Sequence, residues 1–241
     1  MDRRGVAART AKPIGDLPAH FMLDPATYEH GASLGFPGYD FYVSGRGGVL
    51  GNVDADVVSA GFVFFNPTGI RASWERGLDV MPPAGAADAF AGCGYRWSQT
   101  HLPDGVDFSR LGELAGRVVS EANPAGAPVF AGWRALAKPD EPMAGALHEM
   151  NCLRELRCAL HGAAVLAAGL EPIQALMVKT PSMAGIFGWK MPLPDADPFR
   201  GRWHDAETAT DGAMVLRLAV LDDYEADELA DLLDQTLAGL H

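Results

Sequence analysis

The sequence predicts an all-α protein, a single bundle-like domain of about nine helices in one or two packed layers. Three observations carry that expectation. Apolar residues recur at the three-to-four spacing of a buried helical face in segment after segment. Strong period-2 alternation is absent, and residues 47–57 are the one place where a short strand fits. The segments are separated by short Gly- and Pro-marked turns, without the strand–helix alternation of a parallel-sheet nucleotide fold and without an internal repeat of 20–50 residues.

Residues 1–20 are mixed and punctuated by Gly and Pro, and are expected to form a flexible N-terminal segment outside a helical domain over 21–241. A short helix is expected near 23–28, with Asp24 as N-cap and Pro25 at its first position. Residues 31–51 then hold seven glycines around aromatics and one arginine, Arg46, and read as a Gly-rich loop region. A helix over 40–44 that stops at Gly45 would leave Arg46 at a helix end, either capping carbonyls or facing a ligand.

Asn52 or Asp54 caps a helix through Val57, Val58, Phe62 and Phe65, and Pro67 opens the next, with Ile70, Trp74 and Leu78 on its apolar side. Residues 84–97 are Ala-rich, anchored by Phe90 and Trp97. Asp107 caps a helix whose stripe is Leu111, Leu114, Val118 and Val119, and Pro128 starts a short one carrying Phe130, Trp133 and Leu136. The longest signal runs over 141–168 and closes at Gly169. Another short helix follows Pro172, residues 181–200 form a Pro-, Gly- and Met-rich loop over a pocket, and helices over 202–221 and 223–237 end the chain. Asp222 and Glu225 have capping-box spacing.

Composition narrows the function classes. Hydrophobic residues make up 48% and charged residues 21%, which suits a globular core rather than disorder. A formal net charge of −12 disfavours phosphate backbones and anionic membrane surfaces, so nucleic acid is an unexpected partner. Cys93, Cys152 and Cys158 are too few and odd in number for a disulfide framework. No run of about 18 apolar residues exists, and no apolar region follows Arg3 and Arg4, so the expected location is the cytoplasm.

The chemistry is expected on the 141–169 helix. Leu153, Leu156, Leu160, Ala163, Ala164 and Ala167 form its core stripe, while Arg154 and His161 are seven apart and nearly eclipsed on another side. Asn151, Glu155 and Cys158 lie beside them, with His148 further round. A solvated face uses Lys, Glu and Gln; this one uses His, Asn, Cys and Arg, and a buried polar row must be hydrogen-bonded by itself, by neighbours or by a ligand. The expected site is a pocket for a small organic ligand with an anionic group. Arg46, His148 and Asn151 bind, Arg154 and Glu155 flank His161 as acid or base, and Trp133, Trp189 and Trp203 serve as walls. A salt-bridged structural stripe is the plain alternative. Cys158 with His161, or His148 with Cys152, could share a metal, His161 could ligate haem, and Cys158 could act as a thiolate; no cofactor is named by any of these. His204, Glu207 and Asp211 share a face of the next helix and read as a capped helix start or as pocket lining.

With these residues in view, the chain resembles a large actinobacterial helix-turn-helix-like (EvbL-type) family. The likeness rests on the run from Phe41 through Arg46 to Gly51, the helix from Val57 to Pro67, the segment from Pro128 to Leu136, and Leu153-Arg154-Glu155 followed by His161 and Ala167 to Leu170. It covers roughly 34–177. The resemblance implies an all-helical fold and gives weight to Arg46, Arg154, Glu155 and His161, with no particular activity. The chain departs from the pattern where Arg157-Cys158-Ala159 replaces an Arg-Gly-Asp stretch, and where an acidic helix replaces a winged-helix-like segment. A competing expectation is therefore a non-catalytic, homodimeric regulator relative that pairs through Leu229, Leu232, Leu233 and Leu237.

Overall fold

The computed structural model describes residues 2–240, and among them every regular element is helical. There are twelve α-helices rather than about nine: α1 (Arg3–Leu23), α2 (Pro25–Ser33), α3 (Asp40–Gly47), α4 (Ala55–Phe62), α5 (Pro67–Leu78), α6 (Pro83–His101), α7 (Phe108–Glu121), α8 (Pro128–Ala135), α9 (Pro142–Ala167), α10 (Pro172–Lys179), α11 (Arg200–Leu218) and α12 (Asp223–Ala238). Short 3-10 turns occupy Gly48–Leu50, Pro181–Met183 and Asp197–Phe199. The first of these lies in the one segment where a short strand would fit, and the other two sit inside the expected loop.

The segment expected to be a flexible tail is α1, one of the central helices. Asp2 accepts from the Gly5 N–H as its cap, and Pro13 and Pro18 lie on the buried face with Val6, Ile14, Leu17 and Phe21. Its arginines are tied to the C-terminal end of the chain: Arg3 donates to the Leu218 and Leu221 carbonyls, and Arg9 pairs with Asp231 and Asp234. Apolar burial outweighed the local cost of two interior prolines.

The Gly-rich region is likewise mostly helix. Gly45 does not stop α3; a Cβ there would lie 2.4 Å from the Phe90 side chain, and one at Gly48 would lie 2.2 Å from the Pro83 carbonyl oxygen. These glycines bring α3 and the turn after it against α6. Other punctuation acts as read. Asp24, Asp54 and Asp107 accept from first-turn N–H groups, Asp222 and Glu225 form a capping box, and Gly169 takes φ +72° after α9.

At the centre is α9, packed against α1, α6, α7, α8 and α11. One core cluster runs from Val6 to Leu233, and a smaller one gathers Val165, Leu170, Ala175 and Ala206 with Phe64, Phe199 and Trp203 at its edge. The stripe proposed for dimer pairing is part of the main core: Leu229, Leu232 and Leu233 are buried, and Leu237 packs against them. Among the described residues no single helix is long and apolar enough to cross a membrane; only α9 and α10 together, across a 111° bend, reach that composition.

Candidate functional site

The polar residues of α9 divide among three places. The first is an ion cluster in the core. Arg46 from α3 reaches Glu155 with both arms of its guanidinium, Nε donating to Oε1 at 2.9 Å and Nη2 to Oε2 at 2.7 Å. Both residues are 1% exposed. Arg154 Nη1 donates to Glu155 Oε1 at 2.6 Å, so two guanidiniums share one carboxylate and the cluster keeps one positive charge in excess. The Arg46 guanidinium lies 4.4 Å from the Phe62 ring centre, and Trp133 Nε1 donates to the Arg46 carbonyl at 3.3 Å. Burial pushes the Glu155 pKa up, but Arg46 and then Arg154 outweigh it and hold the carboxyl below its ordinary range. A cleft of about 180 Å³ between α4, α8 and α9 reaches Glu155 and Cys158 between small side chains such as Gly61, Ala159 and Gly162.

The second place surrounds His161, two helical turns on. Thr210 Oγ1 donates to the Ala206 carbonyl at 2.7 Å, so its one proton is committed. His161 Nδ1, 3.0 Å from that oxygen, must then be the donor. This fixes the tautomer and leaves Nε2 as the ring's acceptor, 3.6 Å from Glu207 Oε1. Burial lowers the His161 pKa; Glu207 opposes this, while Arg157 and Lys179 add to it. Glu207 is held in turn by Arg157 at 2.9 Å, and Arg157 also reaches Asp211 at 3.5 Å.

His161 lines a cavity of about 120 Å³ with Phe64, Leu176, Lys179, Phe187 and Trp203. Three aromatic rings face this space. Lys179 Nζ lies 5.4 Å from the Trp203 ring centre, and among the described residues it has no carboxylate partner. The buried Trp203 Nε1–H finds no acceptor. Trp189 fixes one wall by donating from Nε1 to the Phe64 carbonyl at 2.8 Å.

His148 and Asn151 join neither place. His148 Nδ1 is 3.0 Å from the Tyr95 hydroxyl, and Nε2 is 3.7 Å from Cys152 Sγ. Burial, with Lys138 nearby, lowers its pKa to about 4, so it is a neutral core histidine. Asn151 is buried with both side-chain heteroatoms unpartnered.

Of the residues expected to share one site, the structure brings some together and places the rest apart. Arg46 does meet the long helix, with Arg154 and Glu155. His161 belongs with Trp203 elsewhere, and no hydrogen bond or ion pair among the described residues links it to that cluster. Trp133 and Trp189 position backbone rather than line the His161 cavity. Glu207 and Asp211 bind Arg157, while His204 is exposed. Among the described residues no group of three or more His, Cys, Asp or Glu is placed to hold a metal ion. Sequence reasoning missed Lys179, Phe64, Phe187 and Thr210. The only signal for them was position, Lys179 ending a short helix and Phe187 lying in the loop expected to cover a pocket.

A model of a helix-turn-helix family matches residues 7–213, and the chain belongs to that family. No curated protein and no solved structure matches it.

Proposed function

We propose that this member of the helix-turn-helix family binds a small organic anion with a flat apolar body in the cavity beside His161. The observation that carries the reading is Lys179. Its ammonium lies over the Trp203 ring at the mouth of an aromatic-lined space and has no carboxylate partner among the described residues. An unpaired cation at an apolar cavity selects a ligand that brings its own negative charge. The volume, about 120 Å³ with an open mouth, suits one aromatic ring, since a buried cavity of about 150 Å³ holds benzene.

The family's description points towards DNA, and the residues argue for a different ligand. The pair α4 and α5, joined by residues 63–66, carries two arginines on its second helix. Arg71 is engaged by Asp54, Asp56 and Glu75, and Arg76 by Asp40. Cations already paired with carboxylates release little on meeting phosphates, and the net charge of −12 adds to the penalty. Pairing of two copies through the α12 leucines has lost its surface, because those side chains fill the core. Catalysis shared by His161, Glu155 and Arg154 has no geometric support, so the reading is one of binding, with Arg46, Arg154 and Glu155 as the internal brace of α9.

The test is calorimetry with benzoate and, as a charge-reversed probe, benzylamine. Benzoate is expected to bind and benzylamine not; Lys179→Glu should weaken benzoate by about tenfold or more. Benzoate binding that is absent, or equal in Lys179→Glu, contradicts the proposal.

A further inference from the structure

We infer that His161 Nε2 is a hydrogen-bond acceptor for the bound ligand, so that the site selects organic anions that also carry a hydroxyl or N–H donor on the ring. The inference rests on the preceding reading of the cavity and adds a substrate class to it.

Thr210 has one hydroxyl proton, and the Ala206 carbonyl takes it at 2.7 Å. The contact between Thr210 Oγ1 and His161 Nδ1 at 3.0 Å then requires the imidazole to donate from Nδ1. A neutral imidazole that donates from one nitrogen offers a lone pair on the other. Among the described residues no side chain donates a hydrogen bond to that lone pair, and Glu207 Oε1, itself an acceptor, lies 3.6 Å away. Arg157 already occupies the other oxygen of Glu207 and reaches Asp211, so it is not directed at the imidazole. His161 is mostly buried and lines the cavity together with Lys179 and Thr180.

A partly buried acceptor with only a carboxylate oxygen nearby is poorly served, and a ligand donor bound beside it removes the deficit. The cavity is thus lined by a cation, three aromatic rings and an imidazole whose free lone pair is on Nε2. The complementary molecule is a planar ring with an acid group towards Lys179 and an O–H or N–H towards His161. A site built to accept a hydrogen bond discriminates against analogues lacking the donor more strongly than an apolar pocket discriminates by size. His161 acts here as a specificity determinant; nothing in the geometry requires a reaction.

The experiment compares benzoate with its three monohydroxy isomers by calorimetry on the wild-type chain and on His161→Phe, which keeps the ring and removes the acceptor. At least one isomer should bind the wild type about tenfold more tightly than benzoate, and that advantage should fall to about onefold in the variant. In parallel, 15N spectra of the wild-type imidazole should show Nδ1 protonated, with the Nε2 resonance moving on addition of the preferred isomer and not of benzoate. This second measurement decides the matter if His161→Phe does not fold. Benzoate binding with no isomer preferred, or a preference that survives His161→Phe, overturns this inference and leaves the cavity reading intact. If neither benzoate nor any isomer binds, the cavity reading itself fails, and the inference with it.

Discussion

Arg46 and Glu155, 109 positions apart, meet through two parallel hydrogen bonds of 2.9 and 2.7 Å in a place neither can share with water. The pair ties the Gly-rich helix α3 to the middle of α9. Two charges buried at this depth are costly to desolvate, so the contact is better described as obligatory than as stabilising: once both are inside, neither can be removed alone. Arg154 makes the two partners unequal, because it touches the carboxylate and not Arg46.

That inequality predicts an order. Glu155→Gln leaves two buried guanidiniums without a carboxylate and should lower unfolding free energy by about 3–5 kcal/mol. Arg46→Met leaves Glu155 paired with Arg154 and should cost clearly less. Urea titration of both variants checks this, and a larger loss in Arg46→Met would be inconsistent with a shared carboxylate.

The close approach of α3 to α6 predicts a contrast between glycines. Gly45→Ala would place a methyl 2.4 Å from the Phe90 side chain and should destabilise by about 1–3 kcal/mol or more. Gly15→Ala, inside α1 with nothing within 4 Å of its Cβ, should stabilise by about 0.5–1 kcal/mol. Thermal denaturation of the two variants should move in opposite directions.

His148 predicts a pH effect on stability. Burial holds its folded pKa at about 4, below the ordinary value of 6.5. In that window the unfolded chain takes up a proton that the folded chain refuses, so stability is full above about pH 6.5 and falls as pH drops towards 4. Between pH 7.5 and 5.0 the wild type should lose about 2 kcal/mol more than His148→Gln. Equal losses would place the acid sensitivity on another group.

Local chemistry explains which parts of this arrangement were legible. Caps and breakers are written in single residues, so Asp107, Asp222 with Glu225, and Gly169 marked helix ends correctly. The N-terminal helix was hidden because Pro13 and Pro18 read as breaks while their burial is a tertiary fact. Gly45 read as a stop because the Phe90 side chain that requires a glycine comes from another helix. At the site, helical spacing put Arg154, Glu155 and His161 on one sector of α9, although Ala163 and Ala167 of the expected core stripe are exposed. It could not show that α3 approaches one turn of α9 while α10 and α11 enclose another, and so one expected pocket became an ion cluster and a separate cavity. Lys179 was invisible as a site residue because a lone lysine at a helix end is ordinarily solvated.

The cavity beside His161 is the central claim, and the Trp203 indole reports on it most directly. Trp74, Trp133 and Trp189 donate to the carbonyls of Val53, Arg46 and Phe64, whereas the Trp203 N–H is buried without an acceptor. In a 15N–1H spectrum of the full chain titrated with benzoate, the indole resonance assigned to Trp203 should shift and saturate while those three stay in place. If benzoate leaves the Trp203 resonance unmoved, or moves a different tryptophan instead, the cavity is not the binding site.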